Sequence, residues 1–313
     1  MTEELFKLKE ITAVVPVYNE QSLIDELIKR VDSSLRSITD NYEILIIDDG
    51  STDETWKEIQ KNKSKFINLK ALRFSRNFGH HYAISAGLHE CDSKWTVVMD
   101  GDLQDRPEVI PELYKKANEG FDVVFVSRIN RPEKLMYRLM QKLFYMILRL
   151  LSGINFDSSQ ANFSIISNKV VLGFRNFPEN ARFYGSTIKW LGFPSASIKA
   201  DHGVRFSGKP SYTFKKRLNL ALDVILAFSD RPLKIAIRIG IVMSTVSFIA
   251  SLAILYRAFM WGYEVLGWPS LILSIYFTAG IILTVLGIIG VYIGQIFKEV
   301  KKRPLYMISE SLS

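Results

Sequence analysis

The chain has 313 residues, 48% of them hydrophobic and 23% charged, with a net charge of +8. That length and apolar content make one or two folded domains and exclude a disordered chain. The single cysteine, Cys91, excludes an intramolecular disulfide framework and a zinc site built on several cysteines, and it fits a reducing compartment.

Met1 to Glu10 is charged and lacks an apolar run, so no signal peptide is expected there. Ile11 to Val17 then reads as a strand, and Gln21 to Leu35 carries helical periodicity. Glu43 to Ile47, Leu69 to Phe74, Trp95 to Met99 and Asp122 to Val126 read as further strands, with helical patterns between them. Such alternation predicts parallel βαβ units, hence a doubly wound α/β sheet that binds ligands at the carboxyl ends of its strands.

The segments at those ends are polar. Pro16-Val17-Tyr18-Asn19-Glu20 follows the first strand, and Asp48, Asp49, Ser51 and Asp53 follow the second. Ser75, Arg76, Asn77 and Gly79 follow the third, and Asp100-Gly101-Asp102-Leu103-Gln104-Asp105 the fourth. Carboxylates gathered at one sheet edge repel each other unless a cation or hydrogen-bond donors are present. Asp53 taken alone reads as a helix N-cap. Two clusters together, with no GxGxxG or Walker loop, read as a nucleotide site whose phosphates are bridged by Mg²⁺. Asp100, Asp102 and Gln104 are spaced to present three oxygens around one ion.

Beyond the fifth strand, Arg131, Lys134, Arg138, Lys142 and Arg149 share one face of a helical wheel. Met136, Met140, Phe144, Ile147 and Leu151 lie on the opposite side. A helix over about 131–152 is expected in a headgroup layer, and a second over about 212–230, which starts with Lys215, Lys216 and Arg217. Between Ile239 and Phe297 only Arg257 and Glu264 are charged, which predicts two membrane spans at about 236–259 and 270–296. Arg231, Lys234 and Arg238 precede the pair and Lys298, Lys301, Lys302 and Arg303 follow it, so both ends are expected in the cytoplasm. The division is therefore a cytoplasmic domain over 1–230, an anchor over 231–300 and a cytoplasmic tail over 301–313. These flanking Lys and Arg account for the net charge, and no nucleic-acid recognition motif accompanies it.

The segments Val14 to Glu20, Ile46 to Asp53 and Met99 to Asp105 resemble three signatures of family-2 glycosyltransferases. Phe74-Ser75-Arg76-Asn77-Phe78-Gly79-His80 and the two-span tail narrow the resemblance to the polyisoprenyl-phosphate glycosyltransferases, over about residues 11–308. That group includes dolichol-phosphate mannose synthase and bacterial undecaprenyl-phosphate glucosyltransferases. The resemblance implies a GT-A (Rossmann-like) fold, an inverting transfer from a UDP- or GDP-linked sugar to a polyprenyl phosphate, Mg²⁺ or Mn²⁺, and a homo-oligomer in the cytoplasmic membrane. By the same resemblance Pro16, Tyr18, Glu20, Asp48, Asp49, Asn77 and Asp100 surround the nucleotide sugar. Asp100, Asp102 and Gln104 hold the metal; Arg128 and Arg205 contact phosphates; Asn162, Arg131 and Ser211 lie on the acceptor side.

Two places depart from the family pattern. Relatives read Gly-Asp-Phe-Arg before the last soluble strand, where this chain has Ala161-Asn162-Phe163-Ser164, so Asn162 cannot serve as a base. The segment after Arg205 ends in Pro210-Ser211-Tyr212 instead of a shorter Gly-x-Ser-Lys. A same-fold enzyme acting on a hydroxyl acceptor and a catalytically silent nucleotide-sugar-binding subunit stay open as alternatives. His80 and His81 open a helix, where they could touch a pyrophosphate, but a surface role at the helix start is the expectation. His89 and His202 have no ligand partners at metal spacing, and Phe183, Tyr184 and Trp190 are expected to pack behind the site.

Overall fold

The computed structural model describes residues 8–129, 160–177, 183–201, 231–261 and 267–313. They fall into two compact units: a sheet unit that includes residues 303–313, and a unit holding two long helices. The expected helices over 131–152 and 212–230 lie outside the described residues, as do Arg131, Arg205 and Ser211.

The expected strands are present within a few residues. β1 (Lys9–Val17) lies between β2 (Tyr42–Asp48) and β4 (Ser93–Val98), and β3 (Leu69–Phe74) flanks β2; all four run parallel. Their order is the doubly wound one, in which the chain reverses its direction of travel across the sheet between β1 and β4. That reversal opens the crevice where such sheets take ligands.

Alternation along the strands explains why both faces are covered. Ile11, Ala13 and Val15 of β1 enter one core with Ile24, Leu27, Ile28 and Val31 of α1 (Ile24–Arg36). Trp56 and Ile59 of α2 (Thr55–Lys63) and Ile110 and Leu113 of α4 (Ile110–Ala117) join the same core. Val14, pointing the other way, packs with Ala83, Ile84 and Leu88 of α3 (His80–Glu90). α5 (Asn168–Arg175) and α6 (Tyr184–Leu191) complete that second core through Val170, Phe174 and Ile188. In α3 a Cβ on Gly87 would lie 2.2 Å from Val14 Cγ1, so only glycine lets the helix approach the sheet this closely.

The sheet is larger and more mixed than the βαβ pattern predicts. β5 (Val123–Ile129) and β7 (Ser195–Asp201) are parallel, but β6 (Gln160–Ser167) runs antiparallel between β5 and β4. The segment Ala161 to Ser164, expected before a strand, lies within β6. An eighth strand, β8 (Ile308–Leu312), pairs antiparallel with β3 and gives the order β7-β5-β6-β4-β1-β2-β3-β8. Residues expected to trail as a tail thus form an edge of the sheet. Five residues paired with a strand more than two hundred positions away carry no local signal of their own.

The second unit holds α7 (Arg231–Trp261) and α8 (Trp268–Val300). Each contains a stretch long and apolar enough to cross a membrane, Leu233–Ala250 and Ser274–Phe297. Ile241, Val242, Phe248, Leu283, Leu286 and Phe297 are exposed on them, an apolar surface that water does not favour.

Candidate active site

Four loops meet at the carboxyl ends of β1 to β4, and hydrogen bonds tie them together. Asn19, in a left-handed conformation after β1, donates its backbone N–H to Ser51 Oγ at 2.9 Å, and its side-chain Oδ1 accepts from Thr52 N at 2.8 Å. Glu20 N donates to Thr55 Oγ1 at 2.9 Å. Asp53 accepts from Thr55 N at 3.0 Å and from the Thr55 hydroxyl at 2.5 Å. It therefore closes the start of α2 much as an N-cap does, although Glu54 occupies the cap position itself.

Asp48 and Asp49 are built into the walls. Asp48 is fully buried; its Oδ1 accepts from Ser51 N at 2.9 Å, and its Oδ2 lies 3.5 Å from Arg73 Nε. Burial raises its pKa, while Ser51 and Arg73 oppose the shift. Asp49 accepts from Phe78 N at 2.7 Å and Gly79 N at 2.9 Å, so it holds the loop between β3 and α3. Burial raises its pKa too, against those backbone donors. Directly after them Gly50 has φ +68, and a Cβ there would lie 2.3 Å from the backbone carbon of Arg76. The Asp48–Ser51 turn can press on the β3–α3 loop only without a side chain at that point.

The DxD segment follows β4 on the other side of the crevice. Gly101 passes so close to β1 that a Cβ would lie 2.6 Å from Val17 Cγ1 and 3.0 Å from Pro16 O. Asp100, Asp102 and Gln104 are each partly exposed, and Asp102 Oδ1 accepts from Gln104 N at 3.1 Å. Among the described residues no three His, Cys, Asp or Glu side chains form a metal cage. An oxygen-only donor set of two part-exposed carboxylates fits a hard divalent ion that completes its shell with phosphate and water, as Mg²⁺ does. It does not fit a site the protein closes by itself.

Register explains how Asn162 reaches this point. Val98 of β4 pairs with Ser164 of β6, and because β6 runs antiparallel, Asn162 lies two residues further along, beyond the end of β4. Its Nδ2 is 3.3 Å from His80 Nε2, and His80 Nε2 is 3.2 Å from Asp100 Oδ1. His80 was expected on the surface; it opens α3 as predicted, but its ring faces the DxD segment and its side chain is 34% exposed. Burial disfavours charge on it, yet Asp100, Asp49 and Asp102 outweigh that and raise its pKa. His81 is not a surface residue either: burial, then His80, lowers its pKa to about 4, and its ring packs edge-on against Phe183 at 5.4 Å. The signal for His80 was its place after β3, at the same sheet edge as the carboxylates.

Tyr184 is buried behind the site, as expected, with its hydroxyl 2.7 Å from Ser164 Oγ. Ser164, at the position where the family pattern has Arg, is itself fully buried and also donates to Asn162 O at 2.9 Å. Removing either partner has unequal consequences. Ser164→Ala strands a buried phenol and is expected to cost about 1–3 kcal/mol, whereas Tyr184→Phe leaves Ser164 its bond to Asn162 O and costs about 1 kcal/mol or less. Thermal melts of the two variants against wild type check that order.

The remaining candidates divide. Pro16 is buried against Gly101, Tyr18 and Asn77 are exposed, and Glu20 is partly buried, all at this edge. Arg128 is on β5 in register with Ala200 of β7. Trp190, expected behind the site, is 63% exposed, with Phe177 edge-on at 5.2 Å.

Comparison with known proteins gives this geometry a context. The model of glycosyl transferase family 2 matches residues 12–176. The chain is 35% identical over 303 residues to the uncharacterized glycosyltransferase YkcC of Bacillus subtilis (strain 168), covering 96% of this chain and 94% of that one. It is 33% identical over 303 residues to the bactoprenol glucosyl transferase of Shigella phage SfII, covering 96% and 98%. Among solved structures, glucosyl-3-phosphoglycerate synthase from Mycobacterium tuberculosis, in complex with Mn²⁺, UDP and phosphoglyceric acid, superposes with a TM-score of 0.53. That match has 18% identity over 70% of this chain and 77% of that chain, and it is a likeness of fold.

Proposed function

Because the chain belongs to glycosyl transferase family 2 and has the GT-A fold, we propose that this glycosyltransferase moves one sugar from a nucleotide sugar to a polyprenyl phosphate, with inversion. The observation that carries the reading is the meeting of Asp100, His80 and Asn162 at the β1/β4 crevice. The acceptor class is supported by the name of the Shigella phage relative, a bactoprenol glucosyl transferase. The Mn²⁺ and UDP in the M. tuberculosis complex support a nucleotide donor with a divalent ion.

Asp100 and Asp102, with Gln104, would hold Mg²⁺ or Mn²⁺, which supplies charge neutralisation for the leaving diphosphate. Tyr18, Glu20 and Pro16 frame the nucleoside, with Asn77 alongside, and Asp48 and Asp49 act from the walls by fixing the two loops beside it. Arg128 and Arg205 offer planar forks of donors to phosphate oxygens. Arg131 and Ser211 belong to the acceptor side.

Asn162 supports a phosphate acceptor. An amide cannot remove a proton, but a phosphomonoester, with a second pKa of about 6, is already largely dianionic at neutral pH. It needs positioning, and the Asn162 amide beside His80 supplies fixed polar groups for that. One acceptor oxygen forms the new bond to the anomeric carbon as the bond to the nucleotide diphosphate breaks from the opposite face. We place α7 and α8 across a membrane with both ends of the chain in the cytoplasm, and the protein as a homo-oligomer, so a long isoprenoid can remain in lipid.

The test uses detergent-purified protein, a panel of labelled UDP- and GDP-sugars, undecaprenyl phosphate and Mn²⁺ or Mg²⁺. The expected result is an organic-extractable, acid-labile product from one donor that disappears with EDTA and returns with added metal. Donor binding with no product on polyprenyl phosphate would transfer the reading to a hydroxyl acceptor.

A further inference from the structure

The last strand of the chain is joined to the wall of the nucleotide pocket through charged side chains. β8 pairs with β3 so that Glu310 lies directly opposite Arg73, with the register shifting just beyond them. Glu310 Oε1 is 2.8 Å from Arg73 Nη1, and Glu310 Oε2 accepts from Trp56 Nε1 at 2.9 Å. The other side of the same guanidinium faces the pocket wall: Nε is 3.5 Å from the buried Asp48 Oδ2, and Nη2 donates to Ser51 O at 3.4 Å. Ser51 Oγ in turn accepts from Asn19 N. One arginine therefore spans from the terminal strand to the turn that joins both donor loops. Around it, Ser75 N donates to Met307 O at 2.9 Å and Tyr306 stacks on Phe74 at 5.0 Å, so the strand is seated along its length.

We propose that Glu310 is a positioning residue for the nucleotide sugar: it orients Arg73, and Arg73 fixes Asp48 and Ser51 in the geometry that binds the donor. This rests on the nucleotide-sugar reading above and adds a residue beyond the family model's match, which ends at residue 176. Without Glu310 the guanidinium can swing toward water on its flexible stem, and Asp48, which is fully buried, loses a fixed counter-charge. Glu310 itself is part-exposed, so its replacement opens no cavity and leaves the strand's backbone pairing intact.

The test uses the full-length protein in detergent with Mn²⁺, titrated with UDP and in parallel with GDP. Glu310→Ala is compared with Ser311→Ala, a neighbour on the same strand that is exposed. Glu310→Ala is expected to weaken the nucleotide that wild type binds about fivefold and to raise the donor KM by the same factor. Its kcat at saturating donor should stay within about twofold, the signature of lost ground-state binding. Ser311→Ala should leave both unchanged, and Glu310→Gln, which can still accept from Trp56 but carries no charge, should fall between. Unchanged nucleotide affinity in Glu310→Ala, even with a lowered Tm, would reduce β8 to a cover for the sheet edge and overturn the proposal. Wild-type protein that binds neither nucleotide would overturn the donor assignment itself, and this role for Glu310 with it.

Discussion

Asp102→Asn is expected to lower kcat by about 10²–10³-fold while leaving the folded protein intact, the cost of losing one preorganised charge-stabilising group in a transfer reaction. Asp102 is partly exposed, so no core packing is lost. Its Oδ1 accepts a bond from Gln104 N, which an asparagine Oδ1 accepts equally well. Neighbouring Leu103 has φ +56 and Gly101 is wedged against Val17 and Pro16, and neither constraint involves the carboxylate charge. Only the charge changes, so stability should stay within about 0.5 kcal/mol of wild type. Measured kcat, KM and Tm separate these effects. Asp53→Asn is the matched control, because the Asp53 oxygens are taken up by Thr55 and Gln21 in the loop. Product yield in Asp102→Asn equal to wild type would remove the metal from the proposed mechanism.

Much of this site is legible in the sequence, for a physical reason. Parallel strands buried on both faces read as short apolar runs, and the rule that ligands bind at their carboxyl ends points to Asp48, Asp100 and Asp102. What a sequence does not carry is the partner of each polar group. Asp49 reads as a ligand-binding carboxylate, yet both its oxygens are taken by the backbone of Phe78 and Gly79. The identity of a backbone donor leaves no trace in residue type. His80 was legible by position but not by direction, since the first residue of a helix can face either way. Asn162 reaches His80 only because β6 is antiparallel, and a single strand's composition does not fix its direction. Glu310 was illegible altogether, because its partner Arg73 lies 237 residues away in the sequence and the strand is five residues long.

The same separation of sequence from contact makes Gly50→Ala the most damaging single methyl that can be added to the site. Gly50 lies in a run of polar residues where a turn glycine looks replaceable. Its φ of +68 already costs an L-residue about 1–2 kcal/mol. The added Cβ would also lie 2.3 Å from the carbonyl carbon of Arg76 and 2.7 Å from its Cα, backbone atoms that cannot rotate away. Overpacking of that kind costs about 1–3 kcal/mol. Together the two terms predict a loss of about 2–5 kcal/mol, a large part of the 5–15 kcal/mol typical of a folded domain. For a unit of this size that lowers Tm by roughly 5–20 °C. Gly120→Ala supplies the comparison, since Gly120 also has positive φ, +105, but nothing lies within 4 Å of its Cβ position. It should show the strain without the clash. The function should follow the geometry: relieving the clash pushes the Asp48–Ser51 turn away from the β3–α3 loop. That motion pulls Asp49 off Phe78 N and Gly79 N and shifts Ser51 away from Asn19 N. Nucleotide affinity should therefore fall in Gly50→Ala even at temperatures where the variant is folded, and stay at the wild-type value in Gly120→Ala. Equal Tm values for the two variants would mean that the turn and the loop can part without cost, and the walls of the candidate site would then not be held in the way the hydrogen bonds of Asp49 require.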